Sequence, residues 1–526
     1  MKLVIVGGVA GGASAAARAR RLSEDAEIVL IERGPDVSFA NCGMPYYIGE
    51  TITSRDKLLV VKPERMQQRY GLDVRVRSSV ERIDRQRQVV EVHDLANDRR
   101  YEESYDRLIL APGAAPIRPP LPGIDLPGIY SLRNLGDADR IKGAIDDGIR
   151  RAVVIGAGFI GLELVENLVH RGVDTTLVEL QNQVLPPLDR EMTAPILDVL
   201  AERGVRVLLG QSAAAFQATD DGLQVDLSSG EALPAQLVVL GVGVRPENKL
   251  AVEARLDVGE RGGIRVNKNM QTIDPAIYAV GDAIEVQDFV LDQAAQIPLA
   301  GPANRQGRIA ADHIFGRESK YRGTQGTAIV GVFDRTAAMT GAAEKTLQRA
   351  GREYRAAVIH PANHAGYYPG AEGMTLKLLF GPATGRILGA QAIGKAGVDK
   401  RIDVLAAAIQ AGMTVFDLEE MELAYAPQYG SAKDPINMLG FVGAGLLRGD
   451  HPQIDIATLL SADDDNRPAL IDVRTPEEFS AGHIPGALNV PLDDLRQRFS
   501  TLPQQRLAVY CQVGMRGYLA TRILRQ

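Results

Sequence analysis

Lys2-Leu-Val-Ile-Val-Gly-Gly-Val-Ala-Gly-Gly12 opens the chain, and Arg151-Ala-Val-Val-Ile-Gly-Ala-Gly-Phe-Ile-Gly161 repeats its plan further on. Each is a short apolar run that empties into a glycine turn. In both, a helical stretch follows, Ala/Arg-rich to Leu22 in the first copy and reaching about His170 in the second. A second apolar run then ends on an acid: Glu27–Ile31 on Glu32, and Thr175–Val178 on Glu179. Strand, glycine turn, helix, strand and terminal acid is the plan of a dinucleotide-binding unit. The first glycine makes the tight turn, the second lets backbone approach a pyrophosphate and the third lets helix and strand pack closely, while the helix N-terminus favours phosphate charge. Gly156, Gly158 and Gly161 fill all three positions; in the first copy Val9 stands in the middle, between Gly7 and Gly12. A terminal carboxylate accepts hydrogen bonds from ribose hydroxyls and repels a 2′-phosphate. Glu179 is followed by Leu180, Gln181 and Asn182 with no arginine, which favours NADH over NADPH.

Two such units do not fill 526 residues, and at about 100–200 residues per domain the chain holds three or four. With 45% hydrophobic and 24% charged residues it buries sizeable cores, which excludes a disordered protein. A net charge of −7 gives no global electrostatic footprint for nucleic acid or an anionic membrane. Only two cysteines occur, Cys42 and Cys511, too few for a disulfide framework or a multi-cysteine zinc site. The histidines form no metal spacing, since Pro361 interrupts the one i, i+4 pair, His360 and His364, so no metal is expected. Met1–Ala17 lacks a basic n-region beyond Lys2 and reads as strand and helix, neither signal peptide nor membrane span. A reducing cytoplasm is expected, where both thiols stay free.

Around the two units lie Tyr105-Asp-Arg-Leu-Ile-Leu-Ala-Pro-Gly113 and Thr272-Ile-Asp-Pro-Ala-Ile-Tyr-Ala-Val-Gly-Asp282. Each alone is a strand and a turn. In this order, over about residues 1–447, the chain resembles the flavoprotein disulfide reductase family, in which the second unit is inserted into the first. The resemblance implies an α/β fold with FAD on a first unit of residues 1–150 and 266–320, NADH on an inserted unit of 151–265, and dimerisation through 321–447. It implies FAD contacts at Gly7, Ala10, Gly12, Glu32, Arg33, Ala111, Gly113 and Asp282, and NADH contacts at Gly156, Gly158, Ile160, Gly161 and Glu179. The Gly/Ala-rich stretch from Gly440 to Gly449 reads as a linker out of the dimerisation domain.

Cys42 sits in Ser38-Phe-Ala-Asn41-Cys42-Gly-Met-Pro-Tyr-Tyr-Ile-Gly-Glu50, with no other cysteine in the first 510 residues. An internal disulfide is therefore impossible there. The segment, with its Gly-Gly-Val-Ala-Gly-Gly turn upstream, resembles the single-cysteine branch of the family, and within it the coenzyme A-disulfide reductases. That resemblance implies a mixed disulfide between Cys42 and coenzyme A, with Ser14, Arg18, Arg21, Ser38 and Asn41 holding the coenzyme A moiety. Arg18 and Arg21, one turn apart, suit nucleotide phosphates. It also implies a homodimer whose partner subunit supplies Tyr367 and Tyr425 to the disulfide-reducing site, with Tyr368 and Tyr429 as near neighbours. The peroxidases of this branch carry a histidine where this chain has Ala10, which argues against peroxide as substrate.

A different pattern begins near residue 455: Ala469-Leu-Ile-Asp472-Val-Arg474-Thr-Pro-Glu-Glu-Phe479, Gly482-His-Ile-Pro-Gly-Ala-Leu-Asn489, and Leu507-Ala-Val-Tyr-Cys511-Gln-Val-Gly-Met-Arg516. An apolar strand empties into a loop that begins with cysteine and leads into a helix, so backbone N–H groups can surround the sulfur and favour its thiolate. Residues 455–526 resemble a rhodanese domain, which implies a persulfide carried on Cys511 and a substrate contact at Arg516. Rhodanese domains continue past the active-site helix, so this one is expected to be incomplete. The whole resembles the fusion found in NADH-dependent persulfide reductases, and implies an FAD-dependent reductase of persulfide or polysulfide that releases hydrogen sulfide. The alternative is a coenzyme A-disulfide reductase that maintains thiol redox balance, with the rhodanese as accessory or docking module.

Overall fold

Lys2–Val6 is the middle strand of a five-stranded parallel sheet, flanked by Glu27–Ile31 and Arg107–Leu110, with Asp73–Arg75 and Ile277–Ala279 at the edges. Leu3, Val4 and Ile5 are fully buried, as expected of a strand covered on both faces, which reads as a continuous apolar run. A second parallel sheet centres on Arg151–Ile155, between Asp174–Glu179 and Leu237–Leu240, with Arg206–Leu209 and Ile129–Ser131 outermost. All its strands fall between Arg107–Leu110 and Ile277–Ala279, so one dinucleotide fold is inserted into the other. The second fold takes up a strand, Ile129–Ser131, that precedes residue 151. Both folds belong to one compact unit, Met1–Arg335, of the computed structural model, which describes residues 1–463 and 467–526.

The other unit, Thr336–Gln526, begins with antiparallel strands in the order Arg335–Gly341, Ile387–Gly394, Met374–Phe380 and Arg355–Ile359. Helices Val398–Ala411 and Pro435–Arg448 pack against them. The latter corrects the linker reading: Gly440 to Arg448 is the second half of a helix, and only Gly449, with φ +73°, is its left-handed cap. Tertiary packing requires these glycines, because a Cβ on Gly440 would lie 2.5 Å from the Glu419 amide nitrogen, and one on Gly443 would lie 2.7 Å from the Val415 side chain.

Residues from Ala469 onward form a three-stranded parallel sheet with Ala469–Asp472 between Leu488–Asn489 and Leu507–Tyr510. Its core is small: Ile471, Val473, Val490, Leu495, Leu502 and Ala520. Among the described residues no helix is long and apolar enough to cross a membrane.

Candidate active sites

The two glycine turns share one geometry. Gly7 and Gly156 have φ of +100° and +107°, the left-handed region that a tight turn demands of glycine. A Cβ on Gly12 would fall 1.9 Å from the Gly7 carbonyl oxygen, and one on Gly161 would fall 1.9 Å from that of Gly156. A Cβ on Gly158 would meet no protein atom within 4 Å, so protein packing alone does not dictate the glycine there. The terminal acids are held alike. Glu32 accepts from the backbone N–H groups of Gly8 (2.8 Å) and Gly34 (2.7 Å), and Glu179 from those of Ala157 (2.7 Å) and Gln181 (2.8 Å). Each carboxylate keeps lone pairs for a ribose.

The first turn opens onto a cavity of about 2320 Å³ whose wall includes Gly7, Ala10, Glu32, Arg33, Ala111, Gly113 and Asp282. Its size and its glycine cradle at a helix N-terminus fit FAD. Arg33 and Arg133 both pair with Glu247 at 2.8 and 2.7 Å; burial alone would raise the Glu247 carboxyl, but the two guanidinium groups hold it below its ordinary range. Burial raises Asp282, against the pull of Arg133.

Cys42 faces the same cavity from a single 3-10 turn, Asn41–Gly43, that leads into the short helix Met44–Ile48. The protein around the thiol pushes its pKa up, the Glu163 and Asp282 carboxylates add to that, and a backbone N–H opposes it. Burial and the carboxylates both disfavour the thiolate of Cys42 relative to a thiol in water. Ser14, Arg21, Ser38 and Asn41 line the same cavity, as does Ile160, which is 43% exposed, from the second glycine turn. Ser38 adopts φ +47°, a strained value for a non-glycine residue, fixed by hydrogen bonds from its N–H to Gly8 and from Val60 N–H to its carbonyl. Arg18 is placed differently: its guanidinium pairs with Asp312 at 2.6 Å between the packed helices Ala10–Leu22 and Ala300–Ile314, and it does not line the cavity.

Glu163, one turn into the helix Phe159–His170, was not singled out from the sequence. It lines the cavity, accepts a long 3.4 Å hydrogen bond from Tyr46, and is pushed up to about 7, chiefly by burial. In the other unit, the exposed phenols of Tyr367 and Tyr425 hydrogen-bond each other at 2.8 Å, which ties two residues 58 positions apart into one polar pair. Tyr368 and Tyr429 are also exposed.

Cys511 follows the strand Leu507–Tyr510 and precedes the helix Met515–Leu524. Its sulfur accepts from the backbone N–H groups of Gly514 (3.2 Å) and Gly517 (3.3 Å). This nest stabilises negative charge on a sulfur, whether thiolate or persulfide. Arg516 faces the thiol and forms a two-pronged ion pair with Glu478, at 2.6 and 2.7 Å. Glu478 was not singled out from the sequence; it also closes a capping box with Thr475.

Three family profiles match the chain: pyridine nucleotide-disulphide oxidoreductase over residues 1–307, the dimerisation domain of that family over 327–434, and a rhodanese-like domain over 455–526. A coenzyme A disulfide reductase of Staphylococcus aureus is 37% identical over 442 residues, covering 84% of this chain and 99% of the relative. Among solved structures, reduced Bacillus anthracis CoADR-RHD aligns with a TM-score of 0.97 at 48% identity, over 100% of this chain and 94% of that one. An NAD-dependent persulfide reductase from A. fulgidus aligns with a TM-score of 0.93 at 35% identity, over 100% of this chain and 97% of that one.

Proposed function

The chain belongs to the pyridine nucleotide-disulphide oxidoreductase family, and from that premise we propose that it is an NADH-dependent flavoprotein reductase of persulfides and polysulfides that releases hydrogen sulfide. The observation that carries this reading is the pairing in one chain of a lone cavity-facing thiol, Cys42, with a second thiol, Cys511, whose sulfur is cradled by backbone N–H groups. FAD, bound along Gly7, Gly12, Glu32 and Asp282, would relay an electron pair from NADH on Gly156, Gly158, Gly161 and Glu179 to a disulfide at Cys42.

Cys42 is the sulfur at which the S–S bond forms and breaks. Its thiolate attacks the inner sulfur of R–S–SH, forming Cys42–S–S–R and expelling HS⁻. Two electrons and a proton then return Cys42 to the thiolate and free R–SH, so the net change is R–S–SH + NADH + H⁺ giving R–SH + H₂S + NAD⁺. When R is coenzyme A, the intermediate is the mixed disulfide, with Ser14, Arg21, Ser38 and Asn41 along the cavity to hold it and Arg18 fixing the helix that carries Ser14 and Arg21. Persulfide sulfur is a good target because its leaving group is a weak base. Tyr367 and Tyr425 serve the corresponding site of a partner subunit as proton donors in a homodimer. Cys511 takes sulfane sulfur from bulky donors and holds it as a persulfide. A reducing cytoplasm suits two free thiols.

The rival, a coenzyme A-disulfide reductase with an accessory rhodanese, is separated by substrate preference under anaerobic conditions. We expect NADH oxidation to be faster with coenzyme A persulfide than with coenzyme A disulfide; the reverse order, without sulfide, assigns the rival activity.

A further inference from the structure

Arg516 is the only charged side chain in the loop from Cys511 to Gly517, and the structure commits it. Both of its terminal nitrogens donate to Glu478, one to each carboxylate oxygen, at 2.6 and 2.7 Å. Glu478 is fixed in turn: its side chain accepts from the Thr475 N–H at 3.0 Å, while its own N–H donates to the Thr475 hydroxyl at 3.3 Å, capping the helix Pro476–Ala481. Arg516 lowers the Glu478 carboxyl to about 2, so it is ionised throughout the physiological range. The Arg516 guanidinium and the Glu478 carboxylate cancel, so when Cys511 attacks as a thiolate the loop carries one net negative charge. Beside the sulfur, Val513 and Met515 are each 51% exposed and present apolar surface.

We propose that Glu478 is a specificity-determining residue: by neutralising Arg516 it makes Cys511 select thiol-based persulfides, R–S–SH, over the inorganic dianion thiosulfate. This rests on the reading of Cys511 as a sulfur acceptor. With R–S–SH, the Cys511 thiolate attacks the outer sulfur, the S–S bond breaks, R–S⁻ leaves and Cys511–S–SH remains, with atoms and charge conserved. With thiosulfate, the same attack expels sulfite, but the approach brings two negative charges to a loop that already carries one. The phosphates of coenzyme A do not count against it, because its extended pantetheine arm holds them beyond the Debye length of about 8 Å at physiological ionic strength. The apolar lips at Val513 and Met515 suit the carbon chain of such a thiol and offer nothing to a sulfonate group.

The test uses the full-length FAD-loaded chain with Cys42→Ser, so that Cys511 is the only thiol, and reads the gain of one sulfur atom on the intact protein with time. Pantetheine persulfide, which carries neither carboxylate nor phosphate, should load Cys511 at least tenfold faster than thiosulfate. Adding Glu478→Gln preserves the cap, since glutamine serves at that position, but removes the charge. It should accelerate loading by thiosulfate about tenfold and change loading by pantetheine persulfide less than threefold. Raising ionic strength should accelerate thiosulfate in the parent and have less effect in the Gln variant. Thiosulfate loading that ignores both the substitution and salt, while pantetheine persulfide still loads, overturns the role of Glu478 alone. Failure of every donor to load Cys511 overturns the sulfur-acceptor reading and the inference with it.

Discussion

Glu163 shows how one buried carboxyl couples the cavity to pH. An unfolded glutamate titrates near 4.3, whereas burial holds Glu163 at about 7 in the folded chain. The folded state therefore binds this proton more tightly, and the sign follows: stability is greatest below about pH 4, declines as pH rises between the two values, and the loss is complete above about 7. Its size is on the order of 3–4 kcal/mol at pH 8. Glu163→Gln should remove that slope, so the variant melts a few degrees above the parent at pH 8, with the gap closing by pH 5. Equal melting temperatures at both pH values would show that the carboxyl titrates normally.

Arg474 does comparable work for an element, the strand Ala469–Asp472. Asp472 is fully buried at its end, where burial would raise the carboxyl, but Arg474 contacts both oxygens, at 2.6–3.0 Å, and holds it below its ordinary range. Arg474 also donates to the Gly482 carbonyl at 2.7 Å, joining the strand to the next loop. Arg474→Ala strands a buried charge and should destabilise the C-terminal sheet by about 3–5 kcal/mol, less toward pH 5 as Asp472 takes up a proton. Proteolysis in urea, followed at residues beyond 467, measures this; an unchanged midpoint would mean that the pair contributes nothing net. Elements were legible where the backbone itself dictates residue type. Gly7, Gly12, Gly156 and Gly161 admit no Cβ, so the two dinucleotide folds could be read directly. The helix Pro435–Arg448 was not legible, because glycines that permit close helix packing look the same in sequence as those that end a helix. Nor were the pairings of Arg18 with Asp312 or of Arg516 with Glu478, since both are set by tertiary approach across long stretches of chain.

At the scale of the whole molecule, the two thiols lie in different compact units, Cys42 within Met1–Arg335 and Cys511 within Thr336–Gln526. The division suits a division of labour, with electrons arriving at one sulfur and sulfane sulfur at the other. Cys511→Ser should leave reduction of the bound flavin by NADH unchanged and slow turnover only with bulky or polymeric sulfur donors; identical kinetics on every donor would remove Cys511 from the reaction. The decisive measurement is an anaerobic titration of the holoenzyme with coenzyme A persulfide, counting sulfide released against NADH consumed. The account predicts one sulfide for each NADH and no NADH oxidation in Cys42→Ser. NADH consumed without sulfide, or sustained turnover in Cys42→Ser, would contradict it.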